Sequence, residues 1–151
     1  CIDSRTPAEL IFDQGLGDIF SIRIAGNIVN DDIIGSLEFA CKAAGSKLIV
    51  VLGHTNCGAI KGACDGAELG LLTQLLEKIK PAICQEKTFK EHRDGNNLAY
   101  VNEVAKINIR NSIEKILDKS MVIKELINQK AIKIIGGMYD VSSGKVMFFE
   151  D

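Results

Sequence analysis

KLIVVLGHTNCGA, residues 47–59, decides how this chain folds. Leu48 to Leu52 form an unbroken apolar run, the pattern of a parallel strand covered on both faces. Gly53 ends the run, and His54 and Cys57 follow it, three residues apart and bracketed by Gly53 and Gly58. In open α/β sheets, ligands bind beyond the carboxyl ends of the strands. A histidine and a cysteine there are borderline-soft donors able to turn toward one point, as zinc requires.

The flanking sequence supplies the rest of an α/β fold. Upstream, IFSIRIAGNIV (residues 19–29) reads as a strand entering a turn at Gly26 and Asn27. DDIIGSLEFACKAAG (31–45) carries Ile33 or Ile34, Leu37, Cys41 and Ala44 at helical spacing, with an aspartate as N-cap and Gly45 as the stop. Strand, helix, strand in that order predicts a right-handed crossover. Downstream, LGLLTQLLEKIK (69–80) predicts a helix with Leu72, Leu75, Leu76 and Ile79 on one face, stopping near Pro81. CQEKTFKEHRDGNN (84–97) lacks apolar periodicity and reads as a surface connection. Residues 98–117 predict a long helix, and 120–129 a second one capped by Ser120. AIKIIGGMYDV and KVMFF predict two strands around the SSG turn. No repeat or low-complexity segment interrupts this order, so the expected architecture is one domain, 1–151, with a mainly parallel central β-sheet flanked by helices.

Composition narrows the function classes. The chain has 151 residues, 46% of them hydrophobic, enough for one core. Lys and Arg total 18 against 20 Asp and Glu, a net charge of -2 that offers nucleic acid no broad basic surface. No apolar run is long enough to span a bilayer, so membrane insertion is not expected. No targeting signal is visible. Five cysteines, an odd number and scattered, favour free or metal-bound thiols in a reducing compartment, and the expectation is a cytoplasmic protein.

The first five residues, CIDSR, place a cysteine, an aspartate and an arginine at alternate positions. CIDSR would follow a strand that this sequence lacks. If its loop lies beside the one after Leu52, Cys1 joins His54 and Cys57 in a Cys₂His set, which leaves zinc a fourth position for water. Asp3 then either coordinates the metal or is drawn off by Arg5 to accept a hydrogen bond from the nucleophile. Cys41, Cys64 and Cys84 read as small buried hydrophobes, and His92 as a solvated side chain. Gly136 and Gly137 read as a strand-end adjustment, since no glycine fingerprint for nucleotide accompanies them.

The two motifs and the sequence between them resemble the β-class carbonic anhydrases, whose signatures are C-x-D-x-R and H-x-x-C. The resemblance runs in register from Cys1 to about Gly62 and returns in IIGGMYDVSSGKV (134–146). It implies a carbonate dehydratase: reversible hydration of CO₂ to bicarbonate and a proton, by hydroxide on one Zn²⁺ per chain. It implies Cys1, His54 and Cys57 as metal ligands, Asp3 and Arg5 as the catalytic pair, and Asp3 as fourth ligand in a closed state. Phe20, Ala25, Phe39 and Gly58 fall where the family lines its CO₂ pocket, part of which a partner subunit contributes. The partners implied are therefore CO₂ or bicarbonate and a second copy, in a homodimer or higher homo-oligomer. The family's N-terminal helices, first strand and a bicarbonate-binding glutamine precede the position of Cys1, and Ile24 stands where the family usually has asparagine. Rival readings are a non-catalytic or regulatory zinc domain of this fold linked to anion transport, and a hydrolase of CO₂-like molecules.

Overall fold

The computed structural model describes residues 1–149, and the last two positions of the expected domain lie outside them. β1 (Leu48–His54) and β2 (Lys133–Tyr139) pair in parallel, from Leu48 opposite Lys133 to His54 opposite Tyr139. β3 (Val146–Phe148) returns antiparallel to β2 across the expected SSG turn. The sheet is therefore small and mixed, in the order β1-β2-β3, with helices around it.

In chain order the helices are α1 (Ala8–Ile11), α2 (Asp31–Glu38), α3 (Gly58–Cys64), α4 (Gly70–Glu77), α5 (Lys80–Gln85), α6 (Leu98–Lys119) and α7 (Met121–Asn128). α6 lies across β1 and β2 and buries Tyr100, Val101, Val104, Ile109 and Ile116. Ile49, Val51 and Met138 meet it from the strands. Ser120 caps α7 as expected, accepting from the Ile123 N–H.

Several expectations are corrected. Residues 19–24 form no strand, although their alternation suits one. A strand needs a neighbour to satisfy its N–H and C=O groups, and among the described residues this segment has none. The crossover expected to begin there is accordingly not formed. β1 is not covered on both faces: Ile49, Val51 and Gly53 are buried, whereas Leu48 is exposed and Val50 and Leu52 are half-buried. That second face opens on a groove of about 550 Å³, lined by Phe20, Ile22, Ile24, Val50, Leu52 and Phe148 among others.

The helix boundaries also move. Asn30, not an aspartate, caps α2 by accepting from the Ile33 N–H, and Asp31 and Asp32 occupy the first turn, where they suit the helix dipole. The helix continues through a π-helical turn, Phe39–Ala43, which rotates Ala44 to the surface. Pro81 opens α5 instead of ending α4, a position where its missing N–H costs nothing. Gly136 and Gly137 lie inside β2, not at its end, and at Gly136 a Cβ would come within 2.8 Å of Phe149 Cδ2 and 3.0 Å of Ile109 Cγ2.

Cys84 is exposed and Cys64 half-buried, so of the three cysteines read as buried only Cys41 is so. The 84–97 connection is not all surface. Glu86 is 1% exposed, paired with Arg93 and accepting from the Thr88 and Phe89 N–H groups. Arg93 also lies over the Tyr100 ring, 4.9 Å from its centroid. His92 is exposed, as expected.

Candidate metal centre

The end of β1 delivers His54, the turn after it delivers Cys57 at the head of α3, and the N-terminal segment brings Cys1 to both. The Cys1 and Cys57 Sγ atoms are 3.9 Å apart, and one donor atom from each of the three residues lies within 4.8 Å of the others. His54 and Cys57 are 2% and 3% exposed.

His54 Nδ1 is 2.9 Å from the Thr55 carbonyl oxygen. A carbonyl only accepts, so Nδ1 carries the proton and Nε2 keeps its lone pair. That Nε2 is buried with no partner among the described residues, an arrangement that is costly unless something binds there. Burial lowers the imidazole's pKa and keeps it neutral, and burial pushes the Cys57 thiol up against the opposing N–H groups of Ile60 and Ala59. Two thiols, Cys57 buried and Cys1 half-buried, converge with a buried free imidazole nitrogen and fit a zinc ion.

Asp3 stands beside this cluster, Oδ2 3.9 Å from His54 Nε2. Arg5 holds it from the other side. Its Nε donates to Oδ1 at 2.8 Å, its Nη2 to Oδ2 at 2.7 Å and its backbone N–H to Oδ1 at 2.9 Å. The Arg5 side chain thereby keeps the Asp3 carboxyl well below the usual carboxylate range, against the opposing effect of burial.

The turns that carry these groups are tied down by residues the motifs do not contain. Arg23 donates to the Cys1 carbonyl at 2.8 Å and to the Asp3 carbonyl at 2.6 Å, fixing the CIDSR loop. Asn102 accepts from the Asn56 N–H at 3.1 Å. Thr55 Oγ1 donates to Asp140 and accepts from the Val141 N–H, tying the histidine turn to the end of β2. Asn108 and Ser112, buried polar groups on α6, donate to the carbonyls of Gly26 and Asn27. The only sequence signal among these is Asn56, whose φ of +56° belongs to a region that asparagine tolerates better than most residues.

The four residues expected to line a pocket come from separate elements. Phe20 and Phe39 meet edge to face with centroids 6.3 Å apart, and both are exposed, at 56% and 61%. Ala25 sits half-buried on a 3₁₀ turn and Gly58 opens α3; neither lines the groove with Phe20.

A family model described as carbonic anhydrase matches residues 1–146. Carbonic anhydrase 2 of Mycobacterium tuberculosis is 34% identical over 152 residues, 97% of this chain and 70% of that protein. A carbonic anhydrase of Mycolicibacterium smegmatis is 32% identical over 151 residues, 97% of this chain and 70% of that protein. Among solved structures, a tetrameric β-carbonic anhydrase of Sordaria macrospora superposes with a TM-score of 0.83 at 28% identity, covering 100% of this chain and 78% of that one. A β-carbonic anhydrase of Aspergillus fumigatus gives 0.84 at 27% identity, covering 99% and 72%. With its fold, its two motifs and the cluster they build, the chain belongs to the β-carbonic anhydrase family, whose general function is the zinc-dependent hydration of CO₂.

Proposed function

We propose that Cys1, His54 and Cys57 hold one zinc ion per chain, that Asp3 and Arg5 are the catalytic pair beside it, and that residues 1–151 work as a single domain. The observation that carries this reading is the convergence of the three donor atoms on a buried His54 Nε2 with no partner of its own among the described residues. A zinc ion held there would supply Lewis acidity, making water deprotonate near neutral pH, far below its ordinary range.

The protein's groups do the rest. Thr55 fixes the imidazole tautomer, and Asp3, ionised throughout the neutral range, would accept a hydrogen bond from the nucleophile and so orient it. Arg5 occupies both Asp3 oxygens and so restrains the carboxylate from entering the metal's own sphere. This grip supports an active site over a closed, non-catalytic one.

Phe20, Ala25, Phe39 and Gly58 are the proposed surround of CO₂, completed by a second copy over the exposed Phe20–Phe39 pair; the Sordaria macrospora relatives are tetrameric. The five cysteines are all free, which suits a reducing compartment such as the cytoplasm. No helix among the described residues is long and apolar enough to cross a membrane.

Stopped-flow CO₂ hydration by the zinc-loaded chain, beside metal analysis of Cys57→Ala, tests the assignment. The expectation is fast hydration by the parent, with zinc and activity lost from the variant. A variant that keeps one zinc per chain refutes the ligand set.

A further inference from the structure

We propose that Asn102, near the start of α6, is a positioning residue for the metal centre, acting through the peptide unit that joins Thr55 to Asn56. That unit is planar and is held at both ends. Its N–H donates to Asn102 Oδ1 at 3.1 Å, and its C=O accepts from His54 Nδ1 at 2.9 Å. Tilting one end tilts the other. Asn102 thus sets the direction of the Thr55 carbonyl, and with it the plane of the imidazole and the aim of Nε2.

The same anchor reaches Arg5. Asn56 sits at φ +56°, and its carbonyl accepts from Arg5 Nη2 at 3.3 Å. Its own side-chain oxygen does not brace the turn, since Asn56 Oδ1 is buried without a partner among the described residues. Restraint comes from α6, a 22-residue helix in which Tyr100 and Val101, just before Asn102, are fully buried. One side-chain oxygen on a rigid helix therefore stands behind both the histidine and the arginine that restrains Asp3. Donor and acceptor also reinforce one another: a peptide whose N–H is bonded offers a more strongly polarised C=O to His54.

The inference rests on His54 being a metal ligand, and the test separates the two. Asn102→Leu keeps the size and removes the acceptor; Asn102→Asp keeps an acceptor oxygen at the same place. Zinc affinity is measured by competition with a chromophoric chelator, and the His54 Nδ1–H resonance is followed by ¹H–¹⁵N spectroscopy in the metal-free protein. Asn102→Leu is expected to weaken zinc binding by about 10- to 100-fold and to shift or broaden that resonance, while Asn102→Asp stays near the parent in both. Parental affinity and resonance in Asn102→Leu, or equal losses in both variants, overturn the proposal. Should Asn102→Leu not fold, Asn102→Ala, which adds no bulk, takes its place with the same criteria. His54→Ala is the control, because a full zinc complement there would remove the ligand assignment itself.

Discussion

Arg5 grips both oxygens of Asp3, 2.8 Å from Nε to Oδ1 and 2.7 Å from Nη2 to Oδ2, while Oδ2 lies 3.9 Å from His54 Nε2. A carboxylate so close to a cation site is a natural ligand, and a ligating Asp3 would displace the nucleophile. Arg5→Ala is therefore expected to reduce CO₂ hydration by about 10- to 100-fold at neutral pH while retaining one zinc per chain. Lysine at this position restores charge but not the two-pronged grip, so Arg5→Lys should recover little. Parental turnover in Arg5→Ala would show that Asp3 needs no restraint.

Arg23 spans the Cys1 and Asp3 carbonyls with one guanidinium, which only a rigid fork of donors does well. Arg23→Ala leaves both carbonyls to solvent and frees the loop that presents Cys1. The expectation is faster zinc loss to a chelator, by about tenfold, with little change in the unfolding midpoint of the metal-free chain. Equal chelator kinetics in variant and parent would confine Arg23 to a surface role.

How far the sequence reveals this site depends on how local each interaction is. His54 and Cys57 lie within one turn after an apolar strand, and CIDSR carries a proposed ligand and its neighbours in five consecutive residues; either motif alone is a weak signal, and the two together make the site legible. Asn102 and Arg23 act from 46 and 22 residues away from the atoms they hold, through backbone groups that leave no pattern in side-chain type. Residues 19–24 have strand periodicity, yet the ladder that defines a strand requires a neighbour, which periodicity does not reveal. Glu86 misled in the opposite way. A charged stretch reads as solvated, and only the fold shows Arg93 and two backbone N–H groups closing around the carboxylate.

That buried pair has a measurable pH signature. Burial favours a protonated Glu86, but the Phe89 and Thr88 N–H groups and Arg93 outweigh it, so the folded pKa is depressed. A depressed carboxylate pKa adds stability that is fully present above the unfolded value, about 4.3, and is lost as pH falls through the folded value. Glu86→Gln should accordingly show its full, nearly pH-independent deficit above about pH 4.5, and a deficit that shrinks below it as the parent loses the same contribution, so that the acid limb of the stability curve is flattened. Arg93→Ala strands a buried carboxylate and should cost about 3 kcal/mol near neutral pH. Urea midpoints across pH 3–7 (roughly the carboxylate range and above) measure both, and parallel curves for Glu86→Gln and the parent would exclude Glu86 as the source.

Gly26 couples packing to the metal centre and allows strain and crowding to be separated. Its φ is +66°, and a Cβ there would come within 2.7 Å of Ile79 Cδ1 and 3.3 Å of the Ala59 Cβ. Ile79 is fully buried, so its side chain has little room to yield. Ala59 lies in the first turn of α3, two residues after Cys57, and Gly26 shares a small cavity with His54 and Cys57. Gly26→Ala is expected to cost about 2–4 kcal/mol by strain and overpacking together, and to weaken zinc binding as α3 is pushed aside. Gly45, at φ +85°, supplies the comparison, because a Cβ there would meet no atom within 4 Å. Gly45→Ala pays for strain alone, about 1 kcal/mol, and should leave zinc affinity untouched. If the two substitutions destabilise equally and neither alters zinc affinity, crowding at Ile79 and Ala59 plays no part, and the turn at Gly26 is not what holds α3 in place.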